Sequence, residues 1–538
     1  MRPNLPLIEP GQQNTPGSAQ ENVLPGWMRY VVPSAADLIF VLLVVAMCCS
    51  VVATRLLDDA GTGWHIRSGE LILSTRAIPR TDPFSVTMAG QRWFAWEWLY
   101  DALIAAVHSR LGLNGVVLFS SALIALVFTL LFRAILRRGA ALPVALIFLL
   151  LSLGVSSIHF LARPHLVSWL FTLIWFEILD SYETDPASRR RLFLLPLLML
   201  LWVNLHGGFL LGFALLGIFI LCALIQFFRA DARMGQRKAT ALRSLTTVTA
   251  LSFLASLINP YGFNLYVHLY RYLSDRWLMN HINEFLPPNF HGLPQLCFAA
   301  MLLLTILTLA MARGRIHLSH LFVILLAVAS GLYASRNLPV ASILLTLVVA
   351  PSLSEALFGA VSNPDTPPRL RNVLSHVQSF SQRMGRLELS LRAHIWPAVS
   401  VLLAVVVCAH GGRLGSWQVM DAHFDAKRFP VEAVKVIAER GIHDPIFTLD
   451  SWGGYLIYQL YPQNQVFVDD RHDLYGSEFF KQYLTTIRAE PGWQTLLNEK
   501  QVNWVLLPKD SALASALRST PAWQVSYEDG TAMLFHRS

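Results

Sequence analysis

Two adjacent carboxylates, Asp58 and Asp59, close an apolar run, and Trp64, His65, Arg67 and Glu70 follow within the stretch "RLLDDAGTGWHIRSGE". A simple anchor needs none of these groups. A carboxylate there can take a proton from a reacting hydroxyl, and arginine or histidine beside it can hold an anion. Similar polar motifs stand at the ends of other apolar runs. They are Asp82, Glu97 and Asp101; "ARPH" with Arg163 and His165; "WVNLHGGF" with Asn204 and His206; "INPYG" with Asn259 and Tyr261; "INEF" with Glu284; and "YASRNLP" with Arg336 and Asn337. Singly, each has a plainer reading. The histidines and Glu97 suit a membrane interface, Arg163 and Arg336 could snorkel to headgroups, and Asn204 with Gly207 and Gly208 could make a tight turn. Asp58–Asp59 resists such a reading, because Ser or Asn would serve a span end equally well. Together the motifs predict a polar pocket holding a base and an anion site, with Trp64, His65, Glu97, Asn204, Asn259 and Tyr261 among its lining.

The elements that must position these residues are membrane helices. The chain has 538 residues, is 54% hydrophobic and 14% charged, and has a mean hydropathy of +0.47. A soluble protein of this size carries about 25% charged residues. Eleven apolar spans are predicted, over residues 36–57, 113–135, 141–160, 164–181, 192–205, 207–228, 241–258, 292–311, 316–333, 338–357 and 394–411; the short fifth span and its successor could also form a re-entrant pair. Arginines crowd the loop ends 133–138, 189–191, 229–243, 313–315 and 369–392. The positive-inside rule makes that side cytoplasmic. The net charge of +8 is thus a topology signal and gives no reason to expect nucleic acid. Residues 1–35 are expected to be a disordered cytoplasmic tail, 36–413 the membrane domain, and the first loop, 58–112, and residues 414–538 to lie outside. The N-terminus is expected on the cytoplasmic side and the C-terminus outside. All five cysteines lie in or beside apolar runs, which argues against a disulfide framework. Spacing of the HExxH type is absent, so no metal site is predicted and no cofactor expected, with a divalent cation left open.

The first loop should hold a short interfacial helix at "WHIRSGELIL" and another through "WFAWEWLYDALIAAVHSRLG". From about residue 418 helix and strand patterns alternate, which predicts a small α/β domain. There "VEAVKVIAERG", "GGYLIYQLYP", "SEFFKQYLTTIRA" and "GWQTLLNEK" read as helices. "PIFTLD", "QVFVDD", "VNWVLLP", "WQVSYED" and "TAMLFHR" read as strands.

An acidic residue just after the first span, interfacial helices in a long outer loop, many further spans and an outer tail together resemble the GT-C superfamily of membrane glycosyltransferases. The block "DDAGTGWHIRSGELI", "IPRTDPFS", "ARPH", "WVNLHGGF", "NPYG" and the late "GGYL" and "VFVDDRHDLYG" is similar to bacterial family-39-like members, over most of residues 36–480. The resemblance implies a place in a bacterial inner membrane, with the C-terminus periplasmic, and transfer of a sugar from a polyprenyl-phosphate carrier to a glycan, lipid or protein acceptor, with inversion at the anomeric carbon. It makes Asp59 the catalytic base, with Asp58 as the alternative. It also makes a lipid phosphate the leaving group, for which Arg163, His165 and Arg336 are the first candidate ligands and Arg67 and His206 the next. Relatives often carry D-x-D-T-x-W-H in the first loop; here Gly61 stands at the second acidic position. The polar burst after "VFV", with Asp470, Arg471 and Tyr475, is expected to help hold the acceptor, with a tight turn at "SWGGYL" nearby. Removing the tail should then spare donor binding. Two other readings compete: a transporter of lipid-linked glycans, which should show matching halves, and a non-catalytic GT-C-like partner in envelope polysaccharide assembly.

Overall fold

The structure, a computed structural model, describes residues 26–49, 52–185, 188–229, 232–312 and 316–538. Most of the expected N-terminal tail, and Arg313 and Arg315 among the loop arginines, lie outside the described residues. Every apolar segment is helical. The helices over these segments are α1 (Ala35–Cys48), α3 (Trp98–Arg137), α4 (Leu142–Ser156), α5 (His165–Thr184), α6 (Leu195–Leu205), α7 (Leu210–Phe228) and α8 (Ala232–Ser256), then α10 (Leu293–Met311), α11 (Leu318–Tyr333), α12 (Leu338–Gly359) and α14 (Ile395–Ala409). A crossing takes about 20 residues. Among the described residues six helices meet that demand by length and composition alone, against the eleven spans expected, and a seventh span arises if Pro368–Ser390 and Ile395–Ala409, bent by 59°, are taken as one. The first of the six ends at Cys48, short of the expected residue 57; Val52–Arg55 forms a separate helical turn.

The first loop carries α2 (Gly61–Thr75) and the start of α3. Gly112 has φ 60°, ψ −158° and divides α3 into an amphipathic first-loop part and an apolar span. Such a φ is one that glycine adopts without steric cost. Beyond the first loop, α9 (Asn264–Ser274) lies between α8 and α10, and α13 (Pro368–Ser390) between α12 and α14. The tail then runs α15 (Val431–Glu439), β1 (Ile446–Phe447), α16 (Asp450–Leu460), α17 (His472–Ile487), α18 (Gln494–Glu499), β2 (Trp504–Pro508), α19 (Ala512–Arg518), β3 (Trp523–Glu528) and β4 (Ala532–Arg537). The four strands form one sheet in the order β1-β2-β4-β3. The β1–β2 pair is parallel and the other two are antiparallel.

Two expectations for the tail are corrected. "SWGGYL" makes no turn: it lies inside α16, and its glycines serve helix packing. A Cβ on Gly454 would meet the Ala60 carbonyl oxygen at 2.3 Å, and one on Gly63 would meet the Gly454 carbonyl oxygen at 2.3 Å. The backbones of α2 and α16 touch because neither glycine has a side chain. "QVFVDD" does not make a full strand. Val466 instead bridges both Ser85 of the first loop and Ile446 of β1. Val86 N–H donates to the Val466 carbonyl and Val466 N–H to the Phe84 carbonyl, each at 3.0 Å. The loop thus extends the sheet of the tail. Leu278, Met279 and Ile282 pack in one apolar cluster with Phe447, Phe467 and Phe535. Membrane-side segments and tail therefore share their core.

Candidate functional site

The local fold around Asp59 is fixed by backbone bonds between two loops. Ala162 N–H donates to the Leu56 carbonyl at 2.8 Å, and Thr62 Oγ1 donates to the Ala162 carbonyl at 3.2 Å. This sets the start of α2 beside the "ARPH" turn that precedes α5. Arg163 Nη1 donates to Asp59 Oδ2 at 2.9 Å, and Asp59 Oδ1 accepts from Gly61 N–H at 2.7 Å. From the tail, Asp470 Oδ2 lies 3.5 Å from Arg163 Nη2, and its Oδ1 accepts from Trp64 Nε1 at 2.8 Å. The three charged groups converge on Gly61. A Cβ there would lie 2.7 Å from Asp470 Oδ2, 2.8 Å from Asp59 Oδ1 and 3.2 Å from Arg163 Nη2. The missing first-loop acid leaves the room that the tail carboxylate enters. All three side chains keep part of their surface open. Burial pushes the Asp470 carboxyl up to about 7; Arg163 pulls the other way, and Asp59 and Asp469 add to the rise. Burial lowers the Arg163 pKa, but Asp59 and Asp470 outweigh it and raise it overall.

A second layer joins this centre. Glu97 Oε1 lies 3.6 Å from His206 Nε2, and Glu97 Oε2 lies 3.8 Å from His65 Nε2. His206 Nδ1 accepts from Gly208 N–H at 3.0 Å and stands 2.7 Å from Ser168 Oγ. Because Nδ1 accepts, the ring proton belongs on Nε2, aimed at Glu97. Burial, then the charges of Arg336 and Arg163, hold the His206 pKa down at about 3, so its ring is neutral. Burial and the nearby Asp101 push the Glu97 carboxyl up to about 8. His65 Nδ1 lies 2.6 Å from Asp101 Oδ1, and its ring stacks on Trp64 with centroids 3.7 Å apart. His165 Nε2 donates to the His159 carbonyl at 2.8 Å. Arg336 pairs with Glu284 at 3.4 Å and lies over the Phe285 ring. Burial would raise the Glu284 pKa, yet Arg336 and Arg163 bring it down to about 2. Both arginines thus act electrostatically on one carboxylate.

Several sequence candidates have other tasks. Asp58 pairs with Arg428 of the tail at 2.7 Å; its neighbour Asp59 is the one that meets Arg163. Arg67 is committed to the Tyr458 carbonyl of α16 and to Glu70, so it clamps the tail and is not free to hold a phosphate. Arg471 and Tyr475, expected at an acceptor surface, are buried instead. Arg471 forms a fork with Asp469 at 2.8 and 2.7 Å, meets Asp82 at 2.7 Å, and sits among the rings of Trp64, Phe84 and Trp93. Tyr475 donates to Asp469 Oδ2 at 3.0 Å. A charge so enclosed persists only when paired, and this one bolts the tail to the first loop. Asn204 accepts from Trp98 Nε1 and donates to the Leu200 and Ile258 carbonyls, which uses it fully as a brace. Asn259 closes the "NPYG" turn, and Tyr261 OH accepts from Ala95 N–H at 2.7 Å.

The sequence reading overlooked the pair His472–Asp450, whose side chains meet at 3.0 Å. Burial opposes the charged ring of His472, but the bond and charge of Asp450 raise its pKa. The signal was present in "DDRHDLYG", but nothing in the spacing ties it to an aspartate before "SWGG". Among the described residues no group of three His, Cys, Asp or Glu is gathered as a metal cage would need.

No protein-family model and no curated protein matches the sequence. Solved structures do. The oligosaccharyltransferase AglB of Archaeoglobus fulgidus, in complex with an inhibitory peptide and a dolichol-phosphate, aligns with a TM-score of 0.55 at 10% identity, over 94% of this chain and 74% of that one. The enzyme of the same organism tethered to an acceptor peptide aligns with a TM-score of 0.54 at 10% identity, over 88% and 68%. Its apo form gives 0.51 at 9% identity, over 88% and 69%. The chain shares the fold of these structures: a multi-pass helical membrane body with a small sheet-containing C-terminal domain.

Proposed function

We propose that this protein is a GT-C glycosyltransferase that moves a sugar from a polyprenyl-phosphate carrier to an envelope glycan, lipid or protein acceptor, at the end of the bundle where the first loop and tail meet. The observation that carries this reading is the convergence of Asp59, Arg163 and Asp470 on Gly61. Asp59 receives the proton of the acceptor hydroxyl as that oxygen bonds to the anomeric carbon. The bond from that carbon to the phosphate oxygen breaks, and its electron pair stays on the phosphate. Arg163 faces the charge that develops there, with Arg336 behind it. Such preplaced donors stabilise the transition state without reorganising during the reaction. A single displacement of this kind inverts the anomeric centre. Neutral His206 and protonated Glu97 form a polar wall that adds no net charge beside the lipid phosphate.

The fold supports the reading, since the archaeal structures with this architecture include one bound to a dolichol-phosphate. The test is release of polyprenyl phosphate by purified protein given undecaprenyl-phosphate-linked hexoses and an envelope acceptor fraction. Asp59→Asn keeps the shape and removes the base, so release should fall by roughly 10²–10⁴-fold while the protein stays monodisperse. Near-normal release by the variant would reject Asp59 as the base. Absence of release from the wild-type protein with every donor would favour the non-catalytic reading.

A further inference from the structure

The helix α13 lies at the end of the bundle remote from Asp59. Its predecessor α12 runs away from Arg336, and α1 begins at the end opposite Asp58. Both ends of α13 are tied there. Thr366 Oγ1, just before the helix, donates to the Ala360 carbonyl at 2.7 Å. Near its other end, Glu388 is buried and accepts from Ala35 N–H at 2.7 Å and Ala36 N–H at 2.9 Å, the first turn of α1. A helix held at the ends of α12 and α1 lies across that end of the bundle.

An apolar stripe along α13 stays open among the described residues. Leu370, Val373, Phe380 and Leu387 are exposed, and Val377 and Met384 are half-buried. Their steps alternate three and four residues, which sets them in one stripe. The inner face holds buried Ser381 and Glu388, and Gln378 lines a cavity of about 1290 Å³ between α3, α5, α11 and α12. Arg369 and Arg383 are exposed beside the stripe, Arg371 Nη2 donates to the Pro364 and Thr366 carbonyls at 2.8 and 3.0 Å, and the only acid of the helix is the buried Glu388.

We propose that α13 is a docking helix for anionic phospholipid: its stripe enters the headgroup–acyl boundary and Arg369 and Arg383 hold acidic headgroups. An exposed apolar stripe beside basic groups is the pattern of helices that lie in an interface. A second copy of the chain fits less well, because pairing two such faces would set arginines against arginines.

The test uses the full chain in vesicles of phosphatidylcholine alone, or with about a third phosphatidylglycerol. In each set one lipid carries a photoreactive acyl chain, and labelled peptides are read by mass spectrometry. Labelling across residues 370–387 should rise several-fold when the reactive lipid is phosphatidylglycerol. The double variant R369Q/R383Q should lose that preference and keep normal labelling of α14, which reports an intact fold. Equal labelling by both lipids, or no label on the stripe, would overturn the proposal. Capture of a second copy by a photoreactive phenylalanine analogue at position 380 would also overturn it, in favour of self-association.

Discussion

At Gly61 the absence of a side chain is itself functional in the proposed site. Any Cβ would press on Asp470 Oδ2 and Asp59 Oδ1 at less than 3 Å. Gly61→Ala should therefore part the two carboxylates from Arg163. Glycosyl transfer is expected to drop at least tenfold with a melting temperature close to wild type, measured on the same preparation. Glu97 offers a pH test. Burial and Asp101 raise its carboxyl from the ordinary 4.5 to about 8. The folded protein then keeps a proton that the unfolded chain releases, so this group makes stability fall as pH rises from about 4.5 to about 8. Glu97→Gln cannot release that proton. Thermal unfolding in detergent should show a flatter decline across that window for the variant; an unchanged slope would place the buried charge elsewhere.

The contact of α2 with α16 shows what packing without side chains achieves. Gly454→Val would force a branched side chain onto the Ala60 backbone, which cannot retreat as a flexible side chain can. Overpacking of this sort costs about 1–3 kcal/mol. It should lower the melting temperature and weaken protection of residues 60–66 in hydrogen exchange. The helices on either side were readable from the sequence, because long apolar runs and 3.6-residue periodicity are local signals. So was the gathering of Asp59, Arg163, Glu97 and His206 at one end of the bundle, since each stands at the end of a run. The tasks of Arg67, Arg471 and Tyr475 were not. They depend on partners such as Tyr458 and Asp82, found far away in the chain or in another element, and no spacing rule encodes those meetings. Gly63 and Gly454 misled for a related reason: glycine favours a turn locally, and only the tertiary approach of two helices explains it here.

The body as a whole has two chemically different ends. The arginine-rich end carries α13, and the other carries the proposed site with the tail over it. From the positive-inside rule we propose that the tail lies on the outer side. Glu478, 88% exposed on α17, gives the check. Glu478→Cys in a background lacking the native cysteines should react with an impermeant maleimide on intact spheroplasts, and labelling only after lysis would invert the map. The tail cannot act as a detachable cover, because Asp470 completes the charged cluster, Arg471 closes the aromatic cage of the first loop, and Val466 extends its strand contacts. This has a consequence in time. Trp64 and Asp470, joined by one hydrogen bond, are 406 residues apart in the chain. At roughly 5–20 residues per second a ribosome takes about 20–80 s to make that interval. During all of it the first loop is already made while its charged centre lacks a carboxylate. Each new molecule thus gains its charged centre only after residue 470 has been made, and a chain stalled before that point would hold no complete centre.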